Sequence, residues 1–282
     1  MIAIIGASGM LGQALCREAQ RTGVSYLAVD RKLVDLERFE RLRKIIDEID
    51  VKLIYNCAAN INITQCELDP SATEVINCWL PKFLSEYCDV RGCKLVHISS
   101  DHFYDSGGRQ AHKETESMTL FNNYARQKYE AELLIMAHSA SSLILRTSIL
   151  GYRADGTSLV DWILRQLKQN AVIHGFHDAY TSAFDVATLS NFLLEKKITR
   201  LSGVYNICAS EVYSKKELID KIIEKLGLGI LSKSVSAKGL KPTRALSCGL
   251  NCEKIIAATS IDLPSLSDVI ENLNVREEYE KI

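Results

Sequence analysis

The chain has 282 residues, and its 34 basic against 35 acidic side chains leave no positive footprint for nucleic acid. Apolar residues make up 47% and charged residues 24%, the balance of a soluble globular protein with room for one large domain or two small ones. Nine cysteines show neither a C-x-x-C pair nor a Cys/His run at zinc intervals, so no disulfide framework or bound metal is expected.

Taken in chain order, short apolar runs alternate with helical patterns. IAIIG (2–6), SYLAVD (25–30), VKLIYNCAA (51–59), CKLVHISS (93–100) and SLILRTSIL (142–150) are continuous and rich in β-branched residues. Strands covered on both faces of a parallel sheet look like this. Helical patterns lie between them at about 10–21, 35–49, 71–89 and 119–138. The alternation predicts an α/β fold with a doubly wound parallel sheet, whose ligands sit beyond the carboxyl ends of the strands. The opening MIAIIGAS reads as the first strand rather than a signal, and no apolar run is long enough to span a bilayer. The odd cysteine count adds to the expectation of a reducing cytoplasm and no membrane contact.

After Leu150 the rhythm changes. A helix near 157–170, an amphipathic segment SKKELIDKIIEKLG and a last helix near 265–274 suggest a smaller lobe over 151–282. Within it, 178–209 is expected to return to the domain formed by 1–150.

The first strand runs into GASGMLG, with Gly6, Gly9 and Gly12 between strand and helix. Each glycine has a mechanical reason: a tight turn, close approach to a pyrophosphate, and close packing of helix on strand. The stretch Gly6, Ser8, Gly9, Met10, Leu11 and Gly12 is thus a candidate dinucleotide cradle at a helix N-terminus. Strand two ends in Asp30, followed by Arg31. A carboxylate there suits the ribose hydroxyls of NADH, and a guanidinium the 2′-phosphate of NADPH, so both cofactors stay open. Cys57, Ala58 and Ala59 end strand three, where small residues let a cofactor approach the backbone.

Strand four ends in HISSDHFYD, placing Ser99, Ser100 and Asp101 at a carboxyl end. The next helix carries NNYARQKYEAELL, with Tyr124 and Lys128 one turn apart. A phenol of ordinary pKa ~10 is a sluggish proton donor and acceptor at neutral pH, and an adjacent ammonium favours its phenolate. A hydroxyl followed by Tyr-x-x-x-Lys, behind a G-x-x-G-x-x-G turn, resembles the short-chain dehydrogenases/reductases.

Within that superfamily the chain resembles the dTDP-4-dehydrorhamnose reductase family over nearly its whole length. ISSDHFYD looks like its I-S-T-D-Y-V-F-D-G, NYARQKYEAE like its Y-G-R-S-K-x-x-G-E, and LILRTSILG like its I-I-R-T-S-W-V-Y-G. NCAANINITQCELDP and KPTRALSCGLNCEKI are similar to further segments of that family. The resemblance implies a Rossmann-like domain with a smaller C-terminal substrate-binding lobe. It also implies NADPH or NADH as cofactor and a nucleotide-diphosphate sugar as substrate, and it admits a homodimer. Ser100, Tyr124 and Lys128 fall on the catalytic positions. Ser99, Tyr124 and Lys128 join the cofactor set, and Ser100, Asp101, His102, Arg146 and Arg244 are the expected substrate contacts, the arginines for the diphosphate. His102 stands where related 4,6-dehydratases carry glutamate, which disfavours dehydration. FYDSGG and ILGYRADG also depart from the family pattern, leaving the sugar open. The expected activity is reduction of a 4-keto-6-deoxy sugar. A nucleotide-sugar epimerase, or a regulatory subunit resembling the methionine adenosyltransferase β subunit, are the alternatives.

Overall fold

The computed structural model describes residues 1–104 and 108–282; FYDSGG falls partly outside them. The five apolar runs give Ile2–Ile5 (β1), Tyr26–Val29 (β2), Leu53–Asn56 (β3), Lys94–Ile98 (β4) and Leu143–Arg146 (β5), and Gly203–Asn206 (β6) joins them as a sixth strand. They lie side by side in the order β6-β5-β4-β3-β1-β2. β1 pairs in parallel with both β2 and β3, and the parallel ladder continues from β3 through β4 to β5. All four residues of β1 and of β5 are buried, which is why these runs do not alternate in polarity. Strand order reverses between β1 and β3, the switch point at which such Rossmann-like sheets hold ligands.

The connecting helices are Met10–Arg21 (α1), Phe39–Asp47 (α2), Ile63–Leu68 (α3), Pro70–Glu74 (α4), Leu80–Arg91 (α5) and Asn123–His138 (α6). Leu42 and Ile46 of α2 and Leu80 and Leu84 of α5 pack with Ile5, Ile54, Leu95 and Ile144 of the strands. Burial of each such side chain contributes about 1.5–3 kcal/mol.

Three elements depart from the sequence pattern, each for a local reason. The expected helix 71–89 runs on from Pro70 to Arg91 but widens within: Asp69 caps α4 with Pro70 at its start, and a π turn over Val75–Trp79 leads directly into α5, whose first turn holds Pro81. A proline ring inside one continuous helix would remove a donor and crowd the preceding turn, and the wider turn accommodates it. The expected helix from 119 starts at Asn123, because the Asn122 side chain accepts from Ala125 N at 2.8 Å. The expected strand 142–150 ends at Arg146, and Ile149–Leu150 pairs instead with Phe184–Asp185.

The chain forms two compact units. One comprises 1–100, 120–146 and 190–205, and the other 101–119, 147–189 and 206–282. In the second, Tyr213–Ser214, Tyr180–Thr181, Ser247–Leu250 and Ala111–His112 make a four-stranded sheet in that order. Its helices Leu159–Lys168 and Lys215–Leu226 each begin with a capping box, Ser158 with Asp161 and Ser214 with Glu217. No helix among the described residues is long and apolar enough to cross a membrane.

The glycine turn leaves no room for side chains. A Cβ on Gly12 would lie 2.2 Å from Gly6 O, and one on Gly6 (φ +82°) 2.7 Å from Ala58 N. Both neighbours are backbone and cannot swing away. Gly12→Ala is expected to cost about 1–3 kcal/mol, seen as a lower thermal unfolding midpoint of the ligand-free chain.

Candidate active site

The turn after β1 is held from two sides. Gly6 N and Ala7 N donate to Val29 O at 2.8 and 3.1 Å, and Cys57 N donates to Ile5 O at 2.9 Å. Gly9 caps α1 through its backbone alone, with no side-chain hydrogen bond. The first N–H groups of a helix have no acceptor within it, so Met10, Leu11 and Gly12 present donors where a phosphate would sit. This uncapped helix start, walled by backbone that no Cβ could enter, fits the pyrophosphate of a dinucleotide. Ser8 is exposed beside it, its carbonyl taken by Gln13 Nε2 at 2.8 Å. At the end of β2, Asp30 Oδ1 accepts from Lys32 N and Leu33 N at 2.9 and 3.2 Å, while Arg31 is exposed. One carboxylate oxygen thus shapes the turn that follows β2.

Behind β3, Ala58 is buried and Cys57 and Ala59 are half-buried. Burial pushes the Cys57 thiol up to about 12, so it is neutral at physiological pH. The loop is tied down by Asn77 of the π turn. Asn60 N donates to Asn77 Oδ1 at 2.7 Å, and Asn77 Nδ2 donates to Asn60 O and to Gln127 Oε1 at 3.0 and 2.8 Å. Gln127 of α6 in turn donates to Pro70 O and Thr73 Oγ1. The widened turn thereby joins the loop after β3 to α6.

Lys128 is 1% exposed although its side chain is ionisable. Its Nζ donates to Ile98 O at 2.8 Å, at the carboxyl end of β4 and two residues before the buried Ser100. Burial lowers its pKa to about 8 against the pull of Glu132, Cys57 and Cys78. Tyr124, one turn earlier on α6, is half-buried. The first unit therefore holds the glycine turn, the loop after β3, Ser99, Ser100 and the Lys128 ammonium at the carboxyl ends of its strands, with Tyr124 one turn earlier on α6.

In the second unit, Asp101 Oδ2 accepts from Thr181 Oγ1 at 3.3 Å. Burial raises its pKa to about 6, opposed by a hydrogen bond from Ser148 and by Lys215. His102 Nε2 accepts from Ala245 N at 3.3 Å, so the neutral ring carries its proton on Nδ1, 3.8 Å from Cys248 Sγ. Burial, then the charges of Lys215 and Arg244, lower its pKa to about 4. His102 is uncharged at neutral pH and serves as a packed donor, a poor match for acid–base work. Arg244 is exposed.

Residues 1–275 match the RmlD substrate binding domain family. The chain belongs to that family. Among its relatives, a probable low-salt glycan biosynthesis reductase, Agl14, of Haloferax volcanii is 25% identical over 94% of each chain. The dTDP-4-dehydrorhamnose reductase of Aggregatibacter actinomycetemcomitans is 26% identical over 94% of this chain and 86% of its own. The crystal structure of dTDP-4-dehydrorhamnose reductase from Bacillus anthracis, in complex with NADP, superposes with a TM-score of 0.89 at 23% identity, covering 96% of this chain and 97% of that one.

Within this RmlD-family chain, one expectation is corrected. Arg146, expected at a substrate diphosphate, is 3% exposed, and its guanidinium pairs with the buried Glu132. Nε donates to both carboxylate oxygens at 3.0 and 3.1 Å and Nη2 to Oε2 at 2.6 Å. Ser99 Oγ donates to the same carboxylate. Arg146 therefore fastens α6 to the end of β5 and is not a ligand for an anion. Asn77, Gln127 and Glu132 went unrecognised among the site-building residues. A faint signal existed for Glu132, which continues the Tyr124–Lys128 stripe by one more turn.

Removing one partner of a buried ion pair strands the other charge. Glu132→Ala is expected to destabilise the chain by about 3–5 kcal/mol, whereas Glu132→Leu with Arg146→Met should recover most of that loss. Urea unfolding of the two variants against the parent chain checks both.

Proposed function

We propose that the chain is an NADPH- or NADH-dependent reductase of a nucleotide-diphosphate 4-keto-6-deoxy sugar, working in surface-polysaccharide precursor synthesis. The observation that carries this reading is the docking of Lys128 Nζ on Ile98 O, one helical turn from Tyr124 and two residues before Ser100. The names of the relatives, reductases of dTDP-4-dehydrorhamnose and of glycan biosynthesis, supply the substrate class.

When bound, the reduced nicotinamide supplies a hydride to C4 of the sugar. The rest falls to the chain. Ser100 would hold the carbonyl oxygen through its hydroxyl, and Tyr124 would protonate that oxygen as alkoxide develops. Lys128 in its ammonium form would favour the phenolate left behind, lowering the cost of losing that proton. Gly6, Ser8, Gly9, Met10, Leu11 and Gly12 would cradle the pyrophosphate, with Cys57, Ala58, Ala59 and Ser99 bounding the rest of the cofactor. Asp30 would take the ribose hydroxyls and Arg31 a 2′-phosphate.

Tyr124→Phe keeps the ring and removes the transferable proton. It is expected to lower kcat by about 10²–10⁴-fold while leaving NADPH affinity nearly unchanged. The assay is oxidation of NADPH in the presence of dTDP-4-dehydrorhamnose. Unchanged turnover in the variant sinks the proton-donor assignment. Interconversion of sugar isomers without net NADPH consumption would indicate an epimerase instead. Arg31→Ala should weaken NADPH about tenfold and leave NADH alone, measured by fluorescence titration of each nucleotide.

A further inference from the structure

Behind Lys128 stand two more buried polar side chains that the glycine cradle and the Tyr124–Lys128 pair do not by themselves require. Asn56 ends β3 and His97 lies on β4, and the two are partners across the ladder, each 0% exposed. Asn56 Oδ1 accepts from Ala58 N at 3.2 Å, so its amide nitrogen is turned toward His97 Nδ1 at 3.1 Å. An amide NH₂ only donates. His97 Nδ1 is therefore the acceptor, and the proton of the neutral ring sits on Nε2. That Nε2 lies 3.2 Å from Lys128 Nζ.

The arrangement constrains Lys128. An ammonium has three N–H donors and no lone pair, so against an Nε2–H it sets donor to donor. A neutral amine resolves the conflict, accepting from Nε2–H and still donating to Ile98 O. We propose that His97, held in one tautomer by Asn56, is a positioning residue that sets the proton affinity of Lys128 by donating its Nε2–H to the neutral amine. The inference rests on the catalytic reading of Lys128 and deepens it: the charge available to favour the Tyr124 phenolate is set from behind by His97.

The other ionisable groups around Lys128 leave the histidine as the adjustable one. Glu132, next on α6, pulls toward the ammonium, but its carboxylate is fixed by Arg146 and Ser99. Cys57, beyond β3, and Cys78, on the π turn beside Glu74 and Glu130, have thiols raised by burial and are uncharged near neutrality. Burial holds the His97 ring neutral, aided by the charge of Lys128.

The test uses the ligand-free full-length chain with ¹⁵N-labelled histidine and ¹³C-labelled lysine. Long-range ¹H–¹⁵N correlation is expected to show His97 protonated on Nε2 only. A proton on Nδ1, or an imidazolium at neutral pH, overturns the proposal. In Asn56→Asp the carboxylate can only accept, so it would favour the tautomer with the ring proton on Nδ1, donating to it, and turn Nε2 into an acceptor. The Lys128 ¹³Cε titration should then move up by about one pH unit, a tenfold gain in proton affinity. His97→Gln, whose amide can present its oxygen to the ammonium, should move it the same way. If both variants fold and neither shifts the titration, His97 is a spacer and the proposal fails. If neither folds, the tautomer of the parent chain still decides. These readings are independent of substrate, so failure to reduce any keto sugar would count against the proposed reaction and not against this device.

Discussion

The buried pairing of Glu132 with Arg146 is the contact on which the rest of the active site depends. Both charges have left water, which is costly unless geometry and further hydrogen bonds compensate. Here the guanidinium reaches both carboxylate oxygens and Ser99 adds a third donor. The return is orientation more than stability. Tyr124, Lys128 and Glu132 stand one above another on α6, so anchoring Glu132 to β5 and to the residue after β4 sets the roll of the whole helix. Lys128 then meets the Ile98 carbonyl without searching for it.

A second constraint comes from the backbone itself. The loops after β1 and β3 approach so closely that Gly6 has no space for a methyl group against Ala58. That approach leaves the start of α1 uncapped and facing outward at the point where strand order reverses. The candidate cradle and the packing of the sheet thus share the same few atoms.

The strands, the glycine turn between β1 and α1 and the placing of Tyr124 and Lys128 one turn apart on α6 were legible in the sequence because each is a local pattern: an apolar run, a fixed spacing, one helical turn. The π turn was not, since Pro81 removes a helix donor and crowds the turn before it, and periodicity is blind to both. Arg146 was misread for a different reason. A guanidinium at the end of a strand looks the same whether it awaits a phosphate or is already paired, and its partner lies on another element. The roles of Asn77 and Gln127 likewise exist only once the loop after β3, the π turn and α6 are brought together. Asn56 and His97 sat inside apolar runs, where a polar letter reads as an interruption, and their register across two strands gives them meaning.

The chain's path between its two units carries a practical consequence. The first unit is assembled from three stretches separated by long excursions, and the last of them, 190–205, delivers most of the edge strand β6 and the Leu193 carbonyl that accepts the buried Tyr55 hydroxyl. A fragment ending where the first five strands are complete would expose the flank of β5 and orphan that phenol inside the core. The first unit is no detachable fragment; the polypeptide must be synthesised past its two-hundredth residue before its parallel sheet has both borders.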